Sequence, residues 1–500
     1  MGAAENRGER LSFGKRERGQ VRPRIYLEGE MGRASWMVLA GLLVAVEFWA
    51  GSADSSAPSE AELSGFAGKA VSKEDVRREF IHCWEGYRKY AWGHDELKPL
   101  SKGFHDWYPE PLLLTPVDAM DTMLIMGLEQ EADDAKSLIF SRLDFNQDME
   151  VQHFEISIRV LGGLLSSYEL SGDKRFLELA VDLANRLLPV FDSPTGMPYR
   201  FVNLKTGKTS GRLTGPAEIG TYLLEYGTLS QLTGNDVYYA KAKKAAAAVF
   251  SHRSKIGLVG SVIDVDSGRW VVKDSAIGGG IDSYYEYLLK GWLLLGDKEL
   301  KEMWDQSIAA LNAHLADESS GRLWYGHANM NSGRRTLSMF GALDAFFPAL
   351  LALGGDFDRA SRLQDSCYEM WVLHGIEPEM LNYRKMKVMV SGYPLRPEII
   401  ESAYYLYHYT SDEKYRRMGR VFFESLVRYC KTEAGFAGLS DVRSKKQSDS
   451  MPSYFLAETL KYSYLLFAPQ EDFDFDKVVF NTEAHPLFKN WPGPAAKSKN

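Results

Sequence analysis

One short break, repeated five times, constrains the fold of this chain more than any other feature. Apolar helical stretches end at Ser171-Gly172-Asp173, Thr233-Gly234-Asn235, Leu295-Gly296-Asp297, Gly354-Gly355-Asp356 and Thr410-Ser411-Asp412. The positions Gly172, Gly234, Gly296, Gly355 and Ser411 are 62, 62, 59 and 56 residues apart. A glycine just past a helix takes the left-handed conformation that closes its last turn, and the Asp or Asn after it accepts from the first amides of the next helix. Each break therefore joins two antiparallel helices, and the period makes the chain an array of helical hairpins.

The helix before each break is the less polar one, as in 156–168, 219–232, 284–294 and 403–409, whereas the helix after it carries charges on one side, as in 175–188 and 239–250. An all-round apolar helix belongs inside and a one-sided helix covers it. With two further apolar stretches at 115–128 and 453–467, the inner helices number seven: 115–128, 154–170, 217–233, 282–295, 342–354, 398–410 and 453–467. Polar residues within them favour a closed ring with a wet axis over an open solenoid. The expected fold is all-α, an (αα)7 barrel. A second repeat has the same register: Asn203 to Gly207-Lys208, Asp264 to Gly268-Arg269 and Asn329 to Gly333-Arg334 each lie between an outer helix and the next inner one. Each reads as a β-hairpin with glycine at its positive-φ position, which places short hairpins on one rim of the barrel.

The period runs from about 73 to 488, so the barrel is expected over 73–488 with a tail at 489–500. A net charge of −8 argues against nucleic acid as partner. The N-terminus differs in kind. Residues 1–33 carry Arg7, Arg10, Lys15, Arg16, Arg18, Arg22, Arg24 and Arg33, and an eleven-residue apolar run follows at 36–46. That run is shorter than the roughly 20 residues of a membrane span and suits a signal-peptide core cleaved after Ala50-Gly51-Ser52, with a signal anchor as the alternative. Residues 1–53 are thus a targeting segment and 54–72, rich in Ser, Ala, Gly and Glu, a disordered linker. Either reading exports the barrel. Cys83, Cys367 and Cys430 are too few for a disulfide framework.

The chain has no HExxH, no Cys/His zinc spacing, no Gly-x-Ser-x-Gly elbow and no phosphate loop, and Gly278-Gly279-Gly280 reads as a plain loop. The chemistry must come from carboxylates. Glu155 and Arg159 lie four apart on one inner helix among Phe154, Ile156, Ile158 and Val160. Asp282 opens another inner helix. Glu398 and Glu401 follow Arg396-Pro397, and Glu218, Glu225, Glu458 and Glu483 occupy comparable positions. Singly, each is explained by an ion pair, a cap or the helix dipole. Together, with Tyr284, Tyr285, Tyr404, Tyr454 and Phe455 nearby, they describe an acidic pocket with aromatic walls, which suits sugars and the paired carboxylates of glycoside hydrolysis.

Six ordered segments resemble the class I α-mannosidases of glycoside hydrolase family 47: Leu114-Thr-Pro-Val-Asp118-Ala-Met-Asp121, Phe154-Glu155-Ile-Ser-Ile-Arg159, Asp282-Ser-Tyr-Tyr-Glu286, Leu395-Arg396-Pro-Glu398-Ile-Ile-Glu401, Phe455-Leu-Ala-Glu458 and Asn481-Thr482-Glu483-Ala-His485. The resemblance spans about 80 to 487 and implies an (αα)7 barrel that removes terminal α-1,2-linked mannose from high-mannose N-glycans with inversion, using one Ca²⁺. It implies Glu155 as general acid, Glu398 or Asp282 as base with Glu398 favoured, and Thr482 as the Ca²⁺ ligand. Glu218, Glu401, Glu458 and Glu483 would hold the water shell of the ion. Arg159, Glu225, Arg396, Glu401, Tyr454 and Glu458 would contact substrate. The expected partner is a high-mannose glycan or glycoprotein, bound by a monomer that is secreted or periplasmic in a bacterium, or resident in the endoplasmic reticulum or Golgi lumen of a eukaryote. Other segments, Pro194 to Pro198 and Ile256 to Gly260, resemble the branch of bacterial members and degradation-enhancing mannosidase-like proteins, and the source is read as bacterial. The chain departs from the family at Ala345, where the disulfide partner of Cys367 is missing, at Ala342, where a His is usual, and at Pro452, where a Glu is usual. A Ca²⁺-dependent mannose-binding lectin without turnover and a helical scaffold are the alternative readings.

Overall fold

In the computed structural model, which describes residues 70–490, the helices alternate between an inner and an outer ring. Among the described residues the outer helices are Lys73–Tyr90, Glu129–Arg142, Lys174–Leu187, Val237–Ser251, Lys298–His314, Phe357–Val372 and Glu413–Tyr429. Lys174–Leu187 shows why such a sequence lies outside. Phe176, Ala180, Leu183, Ala184 and Leu187 are buried along one stripe, and the charged residues face away. Its inner counterpart Gly162–Ser171 buries every residue from Gly162 to Glu169. The last inner helix, Leu460–Phe467, packs on Lys73–Tyr90, and Thr122 Oγ1 of the first hairpin donates to the Ala457 carbonyl at 3.2 Å. These contacts close the ring: the fold is the (αα)7 barrel.

The breaks have the expected caps. Gly172, Gly234, Gly296, Gly355 and Ser411 have φ of 70°, 70°, 71°, 88° and 54°. Asp173, Asp297 and Asp412 accept from the amides of Arg175, Glu299 and Lys414 at 3.1, 3.0 and 2.8 Å. The inner helices are less regular than their apolar runs suggest. The first is interrupted at Ala119, the third at Thr221 and Tyr222, and the fifth opens as a 3₁₀ turn, Leu343–Phe346. The second and seventh widen into π turns at Ile156–Leu161 and Phe455–Thr459.

The three expected β-hairpins are present, and two more share their geometry. In Phe201–Asn203, Val262–Asp264 and His327–Asn329 the last residue opens a turn closed by Gly207, Gly268 and Gly333, all near φ 66–69°. Met380–Asn382 with Lys387–Val390 and Leu439–Asp441 with Lys446–Gln447 repeat it, and in both the side chain of the strand's last residue accepts from a turn amide. There the left-handed position holds Met386 (φ 45°) and Lys445 (φ 59°) instead of glycine, so no glycine marks these turns in the sequence. All five connect an outer helix to the start of the next inner helix, which puts them on the rim where the inner helices begin.

Cys83, Cys367 and Cys430 are free and buried. No helix among the described residues is long and apolar enough to cross a membrane. The expected targeting segment, most of the expected linker and residues 491–500 lie outside the described residues.

Candidate active site

The axis of the barrel is entered from the far end by a β-hairpin, Val478–Phe480 with Pro486–Phe488, whose turn is 481–485. A polar turn can sit inside a protein only if its groups are paired. Asn481 Oδ1 accepts from the amides of Glu483 and His485, and its Nδ2 donates to the Ile158 carbonyl at 2.9 Å and to Glu225 Oε1 at 2.8 Å. His485 lies between Asp121 (2.6 Å) and Asp118 (3.0 Å), and Lys461 donates to Asp121 and to the Ala484 carbonyl. All four charged side chains are fully buried. Burial opposes the imidazolium, but the two carboxylates win and hold His485 up at about 9. Gly162 makes room for the turn, since a Cβ there would come within 2.6 Å of Asn481 Nδ2, and Gly163 lets the first inner helix approach, since a Cβ there would come within 2.8 Å of the Val117 carbonyl.

The hairpin seat explains one of the π turns. Widening the helix at Ile156–Leu161 frees the Ile158 carbonyl for Asn481. At the other π turn the Ala457 carbonyl is free to accept from Thr122. Each widened turn carries or adjoins candidate site residues, Glu155 and Arg159 in one case and Tyr454 and Glu458 in the other. π turns often occur at functional sites for this reason, because they re-aim side chains.

Glu155, Asp282, Arg396, Glu398, Tyr454 and Thr482 are only half-buried, in segments whose neighbours are largely buried. Arg159 joins the helix Ile156–Leu161 to the turn: its Nε and Nη2 donate to Glu155 Oε2 at 3.0 and 2.9 Å, and its Nη1 pairs with Glu483. Its guanidinium is 5.5 Å from the Tyr454 ring centroid, and that of Arg396 is 5.9 Å from the same ring. Tyr454 is fixed between them by donating its hydroxyl to the Pro394 carbonyl at 2.7 Å. Arg396 is itself held by Glu379 at 2.6 Å. Asp282 and Glu398 are the first residues of their helices, where the free amides face them. Asp282 Oδ1 accepts from the Ser283 amide at 2.7 Å. Burial nevertheless lifts Asp282 to about 6 and Glu398 to about 7, the latter against the pull of Arg396. Carboxyls with such values can hold or take a proton near neutral pH.

Below them Glu401, Glu458 and Glu483 form a buried acidic group around the turn. Burial pushes Glu401 and Glu483 up to about 8 and Glu458 well above the carboxylate range, with Glu483 raising Glu458 further. Lys290 and Arg159 offset only part of this charge; Lys290 lies 3.9 Å from Glu401 and is paired with Glu286. Among the described residues no three Asp, Glu, His or Cys side chains converge closely enough to bind a metal directly.

Other residues lie elsewhere. Glu218 is engaged by Arg200 (2.8 Å to Oε1), Thr214 (2.6 Å) and Gln152 (2.9 Å). Glu225 is wholly buried, accepting from Tyr287 at 2.6 Å and from Asn481, so it faces the turn. Of the aromatics read as pocket walls, Tyr284, Tyr285, Tyr404 and Phe455 are instead packed between helices, and only Tyr454 is partly open. Apolar neighbours in sequence do not tell a wall from a core. Several residues escaped the sequence reading. Trp107 is half-buried with its ring 5.5 Å from the Arg159 guanidinium. Burial lifts Glu96 to about 7 and Asp344 to about 6, and Glu377 is fully buried. The first and third lie outside the repeat's inner helices, where nothing in the sequence singled them out.

Residues 79–489 match Glycosyl hydrolase family 47. The chain is 39% identical over 469 residues to the human ER degradation-enhancing alpha-mannosidase-like protein 2, covering 87% of this chain and 79% of that protein. It is 38% identical over 448 residues to human mannosyl-oligosaccharide 1,2-alpha-mannosidase IB, covering 83% and 69%. Its fold superposes on the alpha-1,2-mannosidase from Trichoderma reesei with a TM-score of 0.78 at 27% identity, over 84% of this chain and all of that one. With the match running across nearly all of the barrel, the chain belongs to glycosyl hydrolase family 47.

Proposed function

We propose that this glycoside hydrolase is an inverting exo-α-1,2-mannosidase that trims high-mannose N-glycans, with Ca²⁺ as its cofactor. The observation that carries the reading is the set of Glu155, Asp282 and Glu398 on three different inner helices, all half-buried, with Asp282 acting on Glu398 by its charge, Glu398 on Glu458, and Glu155 on Glu483 beside Thr482. A floor at one end leaves room for a chain terminus and not for a chain passing through, which suits exo cleavage. Thr482 would hold the ion through its carbonyl and hydroxyl oxygens, and Glu401, Glu458 and Glu483 would hold its water shell. When bound, the ion would offset the acidic charge and orient the sugar hydroxyls.

In this reading Glu398 takes a proton from a water that attacks the anomeric carbon on the face opposite the leaving sugar. The bond from that carbon to the leaving oxygen breaks, and the oxygen receives a proton from Glu155 through a water. Asp282 supports the base across the cavity. Arg159 holds Glu155 in place, Arg396 and Glu379 line the approach for the glycan, and Tyr454 provides a flat surface for the sugar ring. An exported or lumenal site of action follows from such a substrate, and a single barrel is sufficient as the active unit.

The test is mannose release from a free high-mannose glycan, followed by mass, with Ca²⁺, with a chelator and with Glu155→Gln. Release that stops in the last two arms supports the proposal. Tight glycan binding without release would move the protein to the lectin class.

A further inference from the structure

Behind Glu398 lies a carboxyl that the proposed reaction does not use. Glu377 is in the loop between the Phe357–Val372 helix and the Met380–Asn382 strand, and it is fully buried. Neither of its oxygens has a hydrogen-bond partner. The charged groups acting on it are Glu398, Glu379 and Arg396. Arg396 is committed to Glu379 through both Nη2 and Nε, at 2.6 and 3.3 Å, so it does not neutralise Glu377. From the helix behind, Cys367 is the facing group, and from the following loop Tyr393; both are buried and pushed up, in part by Glu377 itself. Burial first and then Glu398 push Glu377 well above the carboxylate range. A fully buried carboxyl with neither a donor nor a cation of its own is stable only with its proton on, and a protonated carboxyl is a hydrogen-bond donor.

A buried donor needs an acceptor, and one is vacant in this neighbourhood. Glu398 Oε2 is buried and also without a partner, while the Glu398 carboxylate receives its own backbone amide on the other side. Asp282 and Glu379 also act on Glu398 by their charge, and both raise it. We propose that Glu377 is a positioning residue for the base: its acid O–H is donated to Glu398 Oε2, directly or through one buried water, and this fixes the carboxylate with Oε1 turned to the attacking water. The inference rests on Glu398 being the base. The proton stays on Glu377 throughout, and its deeper burial makes it, of the two acids, the one that remains protonated when Glu398 ionises.

The test compares Glu377→Leu and Glu377→Gln in the full chain with Ca²⁺, measuring kcat and KM for mannose release across pH, together with infrared spectra. Leucine removes the donor; the glutamine amide keeps one. A hydrogen bond to a charged acceptor is worth roughly 10- to 100-fold, so Leu is expected to lower kcat about 10-fold or more near neutral pH with KM within about 2-fold. It should also move the acid limb of kcat upward, because the ionised base loses its donor, and Gln should restore most of both. In the infrared, a protonated-carboxyl band present at neutral pH should vanish in Glu377→Gln and shift in Glu398→Gln. A Leu variant with the wild-type kcat and acid limb overturns the proposal whatever its Tm, as does an infrared spectrum unchanged by Glu377→Gln. Wild-type protein that releases no mannose sinks the mannosidase reading and the base-positioning role with it. The infrared arms would still decide whether Glu377 donates to Glu398.

Discussion

At the residue scale the site depends on carboxyls whose burial and dipolar surroundings differ. Glu155→Gln retains the shape and the Arg159 contact but cannot deliver a proton. Mannose release is expected to fall roughly 10²- to 10⁴-fold while glycan affinity stays near the wild-type value, which titration calorimetry with the intact glycan would check. Glu398 must be ionised to accept a proton, and its value rises from 4.5 to about 7 through burial. The rate is therefore expected to decline as pH drops within the interval from about 7 to about 4.5, the lower part of the interval applying once Ca²⁺ occupies the cavity floor. A pH–kcat profile that stays flat to pH 4 would remove Glu398 from the role of base.

At the element scale, caps and seats matter more than propensity. Ser411 is an exposed non-glycine residue at φ 54°, in a position that four other breaks fill with glycine. Ser411→Gly removes the left-handed cost of a side chain and is expected to stabilise the protein by about 1 kcal/mol in denaturant melts. The Thr482 hairpin is the opposite case. Asn481→Ala strips donors from the Ile158 carbonyl and Glu225 and acceptors from two amides, so a loss of about 2 kcal/mol or more is expected. Mannose release should fall with it, because Thr482 and Glu483 ride on the same turn. An Asn481→Ala protein with full activity and an unchanged Tm would show that the hairpin is held by its strands alone.

For the whole molecule the buried charges set a pH dependence of stability. In the folded chain Glu401 and Glu483 release their protons near 8 where an unfolded carboxyl does so near 4.5, so the folded state holds extra protons between those values and loses stability as pH rises through them. His485 acts in the same direction: its contribution is complete below about 6.5 and lost as pH rises through about 9. In chelator, Tm should therefore fall from pH 5 to pH 9. Ca²⁺ binding favours the ionised carboxylates, so the gap between Tm with Ca²⁺ and Tm with chelator should widen over the same range. Ca²⁺ at a hundredfold excess over its Kd adds about 2.7 kcal/mol. A gap that is zero at every pH would exclude Ca²⁺ from the barrel floor.

The sequence by itself determined the architecture. The breaks from Gly172 to Ser411 specify helical hairpins because a cap is a local event, decided by one left-handed residue and the Asp or Asn beside it. The same locality made three rim hairpins legible through Gly207, Gly268 and Gly333, and hid two others whose turns use Met386 and Lys445. Motifs singled out Glu155, Arg159, Asp282, Arg396, Glu398 and Thr482. Their surroundings were not legible. Only the tertiary structure decided that Tyr284 and Tyr285 lie in the core while Tyr454 is partly open, that Glu218 is spent on Arg200, that Glu225 faces Asn481, and that Glu377 lies behind Glu398. Burial and pairing depend on residues far apart in the chain meeting across a closed ring, and no local pattern records which carboxyl will find a partner there.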